Sequence, residues 1–255
     1  MWHSKAFICI FFIIASGIFL NDSIHAETTD QTQTDTQNDW AFDDELDDDT
    51  NATTPSAWDP LEKLNRYTFK LNDKLYFWCI KPVAQTYKRF TPSPVRLGIL
   101  NFFNNINMPQ RAVNCILQIR PKDTGTEIVS FVVNSTVGIL GLTTPSKTYL
   151  HLESHEEDLG QTLGSYGVGN GFYIVLPFLG SSTLRDFTGS FGDNYLDPVN
   201  YIEDPYVMIG VSAIRTVNTM SFRMGEYEKI KDMAFEPYSA VKDGYIQYRN
   251  KQIEK

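Results

Sequence analysis

The stretch from Leu159 to Asp186, LGQTLGSYGVGNGFYIVLPFLGSSTLRD, decides how the rest of the chain is interpreted. It contains six glycines and then a short apolar run from Tyr173 to Phe178. Glycine at this density indicates a backbone that adopts positive φ angles or approaches another surface closely. We therefore expect a compact irregular segment here rather than a regular helix or strand. Ser182 is the predicted N-cap of the helix that follows.

The spacing of Gly167, Gly169 and Gly171 argues against a nucleotide-binding loop. A dinucleotide-binding fingerprint has the spacing G-x-G-x-x-G, follows a strand and is completed by an acidic residue about 20 positions later. Here the spacing is G-x-G-x-G, and the sequence shows neither the preceding strand pattern nor the acidic residue. These glycines therefore predict a structural feature rather than a phosphate-binding site.

Residues that could carry catalysis or bind a metal are few. His151 and His155 lie four positions apart with Glu153 between them, which suits a metal site. The glycines, prolines and threonines between Gly141 and Thr148 instead predict a solvated loop, in which the two imidazoles share no helical face. No serine lies in a nucleophile elbow, and no cysteine has an evident histidine partner. We therefore expect no enzyme, no metal and no cofactor.

The order of residues in the glycine-rich stretch resembles the signature of the MlaA (VacJ) family of outer-membrane phospholipid-transport proteins. The matching residues are Gly160 to Gly164, Tyr166 to Gly169, Gly171, Tyr173, Val175 to Pro177, Leu179, Gly180, Ser182, Arg185 and Asp186. Phe172 and Ser181 stand where the family usually has proline. The resemblance continues outside this stretch through Asp59 to Glu62, Asn65-Arg66, Pro94 to Gly98, Asn101 to Phe103, Asn105, Asn114, Pro237-Tyr238, Tyr245, Gln247 and Arg249.

This resemblance implies a mostly α-helical, ring-like protein whose amphipathic helices lie in the periplasmic leaflet of the outer membrane. A central channel would let phospholipid leave the outer leaflet and pass to a soluble periplasmic carrier for return to the inner membrane. The family also associates with trimeric porins. Two alternatives stay open: a soluble periplasmic metal-dependent hydrolase that uses His151, Glu153 and His155, and a structural envelope protein without transport activity.

We place the channel and its supporting loop in the glycine-rich stretch. The residues concerned are Gly164, Tyr166, Gly167, Gly169, Gly171, Tyr173, Leu176, Pro177 and Phe178. Asn65, Asn105, Arg185 and Asp186 belong to the structural motif of the family. An Arg-Asp pair at the start of a helix is typically a cap plus an ion pair that fixes the adjoining loop.

The acidic charge of the chain is confined to one segment. The formal net charge is −9, but residues 27–58 carry ten carboxylates and no lysine or arginine. Because Lys5 offsets Asp22, residues 59–255 are left at about +1. A near-neutral folded part lacks the basic face that nucleic-acid binding requires, so this function class is excluded.

The first residues predict an exported protein. Lys5, the apolar run from Ala6 to Leu20 and the small residue Ala26 are typical of a cleavable signal peptide over residues 1–26. No lipobox cysteine is seen, since Cys9 lies inside the apolar run, so the expected lipid anchor of the family is in doubt. Residues 27–57 are polar and acidic and predict a disordered tether. The MlaA/VacJ-like helical domain is expected over residues 58–252.

Amphipathic patterns and prolines predict the helices of this domain. Asp59 and Pro60 predict a helix start, Pro82 a short second helix and Ser93-Pro94 a third, with a further helix beginning at Pro109. Residues 124–142 are rich in β-branched side chains, but the family resemblance favours a helix that breaks at Gly138. Residues 205–224 are apolar almost all round yet interrupted by polar residues, as in an interfacial helix.

The sequence pattern assigns no function to two asparagines and two cysteines of these helices. Asn105 and Asn114 are predicted to be capping or exposed positions without an assigned role. Cys79 and Cys115 both lie on apolar helical patterns, where a disulfide and two buried free thiols are equally compatible with the sequence.

Overall fold

The residues from 58 to 254, which the computed structural model describes, are mostly helical. The α-helices are α1 Glu62–Leu75, α2 Lys81–Phe90, α3 Ser93–Leu117, α4 Pro121–Thr136, α5 Pro145–Leu150, α6 Leu159–Ser165, α7 Leu184–Leu196, α8 Pro205–Phe222, α9 Glu226–Met233 and α10 Pro237–Ile253. Two strands, β1 Tyr173–Leu176 and β2 Gly180–Thr183, form an antiparallel hairpin between α6 and α7. The predicted signal peptide and acidic tether lie outside the described residues.

Helices α1 and α2 are joined by a π-helical turn, Tyr76–Ile80, without a break in the backbone. The prediction that Asp59 caps α1 was wrong, because the helix begins at Glu62 and no side chain caps it. Asp59 instead accepts hydrogen bonds from the Nδ2 atom of Asn65, at 2.8 Å, and from the hydroxyl of Tyr238. The carboxylate of Asp59 therefore binds other side chains and does not cap the helix as the local pattern predicts.

Helix α3 continues through Pro109, so the prediction of a new helix at that residue was wrong. Proline has no N–H group and would normally break the interior of a helix at a cost of about 3 kcal/mol. Arg111 donates to the carbonyl oxygen of Asn104, at 3.0 Å, which supports the backbone beside the proline. Helix α3 also packs along α4. Ser93 is the first helical residue rather than the cap.

Helix α4 confirms that residues 121–136 are helical despite their β-branched side chains, and it ends two residues before Gly138. Its buried face is polar: Glu127, Ser130 and Asn134 are at most 1% exposed. Its apolar residues face outward, with Val132 52% exposed. This distribution is the reverse of the one expected for a helix packed on an apolar core.

Helix α8 shows the same reversal. Asp204 caps it by accepting from the backbone N–H groups of Tyr206 and Val207, which confirms the predicted helix start. Ser212, Thr216, Asn218 and Ser221 are buried, whereas Tyr206, Val207 and Ile214 are exposed. Within residues 58–254, none of the helices combines the length and the apolar character needed to cross a membrane.

The turn between α4 and α5 displays apolar side chains on a constrained backbone. Ile139 and Leu140 both have positive φ angles, of 55° and 58°, which are rare for bulky residues. Both are about two-thirds exposed. The turn is fixed from behind by backbone hydrogen bonds from Leu140 to Ser135 and from Gly141 to Asn134. We call residues 137–142 the apolar tip.

A glycine pair tests how tightly the apolar tip is packed. A Cβ atom at Gly138 would lie 2.4 Å from the carbonyl oxygen of Asn134 and 2.5 Å from that of Thr143. Gly138→Ala should therefore destabilise the protein by about 1–3 kcal/mol, as overpacking does. Gly125→Ala is the matched control, because no atom lies within 4 Å and the residue is inside α4. It should stabilise by roughly 0.5–1 kcal/mol. Denaturant unfolding of both variants in one detergent would check this, and equal stabilities would contradict the packing.

Candidate functional site

The glycine-rich stretch is more regular than its composition predicts. It contains α6, the β1–β2 hairpin and the start of α7, so the expectation of an irregular segment holds only for the linking residues 166–172 and for the hairpin turn. The predicted N-cap Ser182 was also wrong by one residue. Thr183 caps α7, and its Oγ1 atom accepts from the N–H of Asp186 at 3.2 Å.

The free edge of β1 is held by two asparagines of α1 rather than by a third strand. The Nδ2 atom of Asn65 donates to the carbonyl of Tyr173 at 3.0 Å, and its Oδ1 atom accepts from the N–H of Val175 at 2.9 Å. Asn72 makes the same pair of bonds with Leu176 and Phe178, both at 2.9 Å. Each side-chain amide therefore substitutes for a strand residue and satisfies a backbone donor and acceptor.

Aromatic packing fixes the other side of the hairpin. Tyr173 is 1% exposed and forms a small core with Val175 and Tyr238. Its hydroxyl lies 2.7 Å from the Oγ atom of Ser181 across the hairpin. Burial raises the pKa of Tyr173 to about 12, so the hydroxyl stays protonated at neutral pH. Tyr173 therefore packs inside the hairpin, and its place in the channel or its supporting loop stays a prediction.

A buried ionic cluster ties α6, α7 and α10 together. Arg249 of α10 donates to both Asp158, at 2.6 and 2.8 Å, and Asp186, at 3.0 Å to each oxygen. Arg185 and Tyr245 also donate to Asp186, each at 2.9 Å. We call these five residues the ionic cluster. Burial alone would raise the pKa of Asp186, but Arg249 and Arg185 outweigh it and hold the pKa below its usual value.

A second buried network joins α3, α6 and α7 beside the ionic cluster. Asn114 donates to the Oδ1 atom of Asp193 at 3.0 Å and accepts from the hydroxyl of Thr162 at 3.0 Å. The backbone N–H of Leu159 donates to the Oδ2 atom of Asp193 at 2.8 Å. Asp193 is 1% exposed, and burial together with the nearby charge of Asp158 raises its pKa to about 6.

The two asparagines predicted to be capping or exposed are both buried. Asn114 is the centre of the network with Asp193, and Asn105 donates to the Oγ atom of Ser135 at 2.8 Å, which links α3 to α4. A Cβ atom on Gly141 would lie 2.5 Å from the Cβ of Asn105, so the apolar tip rests directly on this side chain. The sequence pattern misjudged both because polar residues occupy the interior here.

The predicted channel residues divide into a fixed set and an exposed set. Gly164 lies against Ile253 and Arg185, and Leu176 lies on the strand that the asparagines hold. The exposed set is Tyr166, Gly167, Gly169, Gly171 and Pro177. Positive φ angles occur at Gly167, Gly171 and the half-buried Phe178, at 83°, 67° and 70°. No atom lies within 4 Å of a Cβ added at Gly167 or Gly169, so this part of the loop is open.

The candidate metal residues lie on a segment without regular structure, as predicted. His151 and Glu153 are exposed, and the Nδ1 atom of His155 lies 3.9 Å from the Oδ1 atom of Asp123. Within residues 58–254, no group of three or more histidines, cysteines or carboxylates is arranged to hold a metal ion. Cys79 and Cys115 are both buried and are not joined by a disulfide, which is one of the two arrangements that the sequence left open.

Sequence reasoning missed Asn72, Asp158 and Asp193 as parts of this site. A signal existed for Asn72, because it follows Asn65 by seven residues and therefore lies on the same face of α1. Asp158 and Asp193 had no local signal, since their partners are distant in sequence. Arg249 was noted only for its resemblance to the family's closing motif.

Comparison with known proteins identifies relatives over most of the chain. The family model described as MlaA lipoprotein matches residues 57–252. An uncharacterized protein of Rickettsia bellii is 32% identical over 199 residues, covering 78% of each chain. The intermembrane phospholipid transport system lipoprotein MlaA of Escherichia coli is 31% identical over 196 residues, covering 74% of this chain and 76% of that protein.

A solved structure shows the same fold. It comes from work on the structural basis for maintenance of bacterial outer membrane lipid asymmetry, and it superposes with a TM-score of 0.64 at 31% sequence identity. The match covers 76% of this chain and 98% of the solved chain. The predicted family and the mostly helical fold are thus confirmed.

The raised pKa of Asp193 gives a prediction for stability against pH. Its folded pKa of about 6 exceeds the ordinary 3.8, so the folded state binds the proton more tightly. The resulting contribution to the free energy of unfolding is on the order of 2–3 kcal/mol. It is fully present below pH 4 and is lost as the pH rises through 6. Asp193→Asn should remove this part of the pH dependence, measured as free energy of unfolding between pH 4 and 7. The exposed Asp232→Asn is the control, and an unchanged slope in Asp193→Asn would refute the assignment.

Proposed function

The chain belongs to the MlaA lipoprotein family, and from this we propose that it is a component of an intermembrane phospholipid transport system that maintains the lipid asymmetry of the outer membrane. Phospholipids that have reached the outer leaflet pass through a central channel of this protein. A soluble periplasmic carrier receives them and returns them towards the inner membrane. The protein acts without breaking a covalent bond.

The observation that carries this proposal is the reversed burial along α4 and α8. On α4 the polar residues Glu127, Ser130 and Asn134 are buried, whereas Val132 is exposed. On α8 the polar Asn218 is buried in the same way. In water, exposing such a surface would cost about 25 cal/mol for each Å² of apolar area left hydrated. In a lipid leaflet the same apolar surface is favourably placed, and the polar residues gain by pairing with one another inside the protein.

The surface chemistry also supports a position in one leaflet. The apolar tip carries Val137, Ile139 and Leu140, and no charged residue occurs between Ile128 and Ser146. Tyr195 and Tyr206 are about four-fifths exposed, as amphipathic rings at a membrane interface are. The proposed location is the periplasmic leaflet of the outer membrane, reached by signal-peptide export.

The glycine-rich stretch supplies a rigid frame with an open loop, which suits a channel entrance. The ionic cluster and the asparagines of α1 fix its two ends, so residues 165–171 can stay open without loosening the fold. Tyr166 of this loop donates its hydroxyl to the carbonyl of Leu117. We place the lipid path beside this loop. A trimeric porin and the periplasmic carrier are the proposed protein partners.

The proposed function is tested by surface-exposed phospholipid in cells that lack the protein. Loss of the protein should raise the phospholipid of the outer leaflet, measured by labelling of its head groups from outside. Expression of the wild-type chain should return the value to normal. Replacing both Gly167 and Gly169 by valine should prevent this recovery, because a β-branched residue at a φ of 83° distorts the loop.

The single variant Gly169→Val is the control for added side-chain volume. It introduces valine without backbone strain, because open space surrounds Gly169 and its φ is not positive. All variants must remain in the membrane fraction for the comparison to hold. Full recovery with the double valine variant would contradict the placement of the lipid path. Unchanged surface phospholipid after loss of the protein would instead favour a structural envelope protein.

Membrane seating by the apolar tip gives a separate prediction. Replacing Ile139 and Leu140 together by asparagine should weaken binding to phospholipid vesicles at least tenfold, since each buried apolar side chain contributes about 1.5–3 kcal/mol. Asparagine tolerates a positive φ, so the fold should survive. Lys122→Asn, at the opposite end of α4, is the control and should bind normally. Vesicle flotation measures both, and equal binding would show that the tip is not inserted.

A further inference from the structure

One face of α1 carries a row of exposed, mostly basic side chains. The residues of this row are Lys63, Tyr67, Lys70 and Lys74. They follow one another at intervals of four, three and four residues, so they lie on one side of the helix over about 16 Å of its length. Asn65 and Asn72, which hold the edge of β1, lie on the opposite side. We call this outward row the lysine face.

The carboxylates of α1 do not neutralise the lysine face. Glu62 accepts from Arg66 at 2.7 Å, and Asp73 accepts from Lys231 at 2.6 Å. Both carboxylates lie about a quarter turn away from the row. Water solvates the three exposed ammonium groups, so the fold itself requires no partner for them. Their common sign nevertheless makes this side of α1 a positive surface.

The densest negative charge of the chain lies a short distance before α1 in sequence. Residues 43–49, DDELDDD, carry six carboxylates in seven positions, and residues 27–58 contain no lysine or arginine. We call residues 43–49 the acidic run, which lies outside the described residues. Blocks of like charge are solvated tails or interaction segments. A complementary surface within reach favours the second of these.

The point at which the acidic part of the chain joins the domain is fixed beside the start of α1. The carbonyl of Trp58 accepts from the N–H of Tyr173 at 3.0 Å, and the ring of Trp58 packs edge-on against Phe172. Asp59 is held by Asn65 of α1 at 2.8 Å. Residues 50–57 connect the acidic run to this point and span up to about 30 Å. The acidic run can therefore pass round the end of α1, which is about 10 Å wide, and lie along the lysine face.

Apolar side chains complement one another in the same two places. Trp40, Phe42 and Leu46 are the only aromatic or large aliphatic residues between positions 27 and 57, and they lie within or just before the acidic run. On α1, Leu64 and Tyr67 are 59% and 69% exposed and lie at or beside the lysine face. Both the segment and the helix thus combine charge of one sign with exposed apolar groups, and the charges are opposite.

We infer that the acidic run folds back and binds the lysine face of α1, with the neighbouring aromatic residues against Leu64 and Tyr67. A single surface ion pair contributes little, but the short connection keeps the two partners at a millimolar effective concentration. The bound run neutralises a face that would otherwise attract anionic lipid head groups. The apolar tip and the outward sides of α4 and α8 then remain as the surfaces that meet the leaflet.

Carbodiimide cross-linking of the full exported chain in dodecyl maltoside tests the contact directly. The reagent joins carboxylates to amines in contact with them, and mass spectrometry locates the new bonds. Cross-links should run from the acidic run to Lys63, Lys70 and Lys74, and their yield should fall several-fold in about 0.5 M salt, which screens exposed charges. The internal controls are the exposed lysines of other helices, Lys88, Lys147 and Lys229. Equal yields at both groups of lysines, or yields unaffected by salt, would overturn the inference.

Vesicle flotation decides between the acidic run and anionic lipid as the occupant of the lysine face. Replacing the six carboxylates of the acidic run by amides should raise binding to vesicles of phosphatidylglycerol and phosphatidylcholine about tenfold or more, because it uncovers three lysines. Adding Lys63→Gln, Lys70→Gln and Lys74→Gln should remove most of this gain. Adding Lys88→Gln, Lys147→Gln and Lys229→Gln instead should preserve most of it. Vesicles of phosphatidylcholine alone should not distinguish these variants.

The same three substitutions in the chain with its native acidic run provide the opposite outcome. If they weaken binding to the anionic vesicles as strongly as in the amide variant, lipid and not the acidic run occupies the lysine face, and the inference is wrong. A gain from the amides that survives Lys63→Gln, Lys70→Gln and Lys74→Gln reflects only net charge and also contradicts it. Thermal unfolding confirms that each variant is folded. Neither test measures surface phospholipid in cells, so the inference and the proposed function can fail separately.

Discussion

The bidentate contacts of Arg249 with Asp158 and Asp186 are the constraint on which the rest of the structure depends. They join the last helix to both helices that flank the β1–β2 hairpin, and they lie in the interior, where an unpaired charge would cost several kcal/mol. Gly160 and Gly189 allow the close approach of α6 and α7 that brings these groups together. The open loop between α6 and β1 can therefore be rich in glycine without destabilising the helices that flank it.

The polar interior follows from the same physical principle as the apolar exterior. In a protein that lies in a lipid leaflet, apolar side chains gain little from being inside, because hydrocarbon tails surround them already. Hydrogen bonds and ion pairs then become the contacts that distinguish one packing from another. Asn114 with Asp193, and Asn105 with Ser135, are examples that an ordinary amphipathic pattern would have placed at the surface.

Local chemistry in the sequence determined the helical class and several helix starts, since Asp204 before Pro205 and the prolines at residues 94, 121 and 237 act through neighbouring atoms. The order of residues in the glycine-rich stretch and its flanks was enough to indicate the family. The continuation of α3 through Pro109, the hairpin inside the glycine-rich stretch and the burial of Asn105, Asn114 and Asp193 were decided only by the tertiary structure. Each depends on partners far along the chain, such as Asn65 with Tyr173 and Asn114 with Asp193. A local sequence pattern contains no information about such distant partners. In this protein the contacts with them outweigh the local secondary-structure propensities.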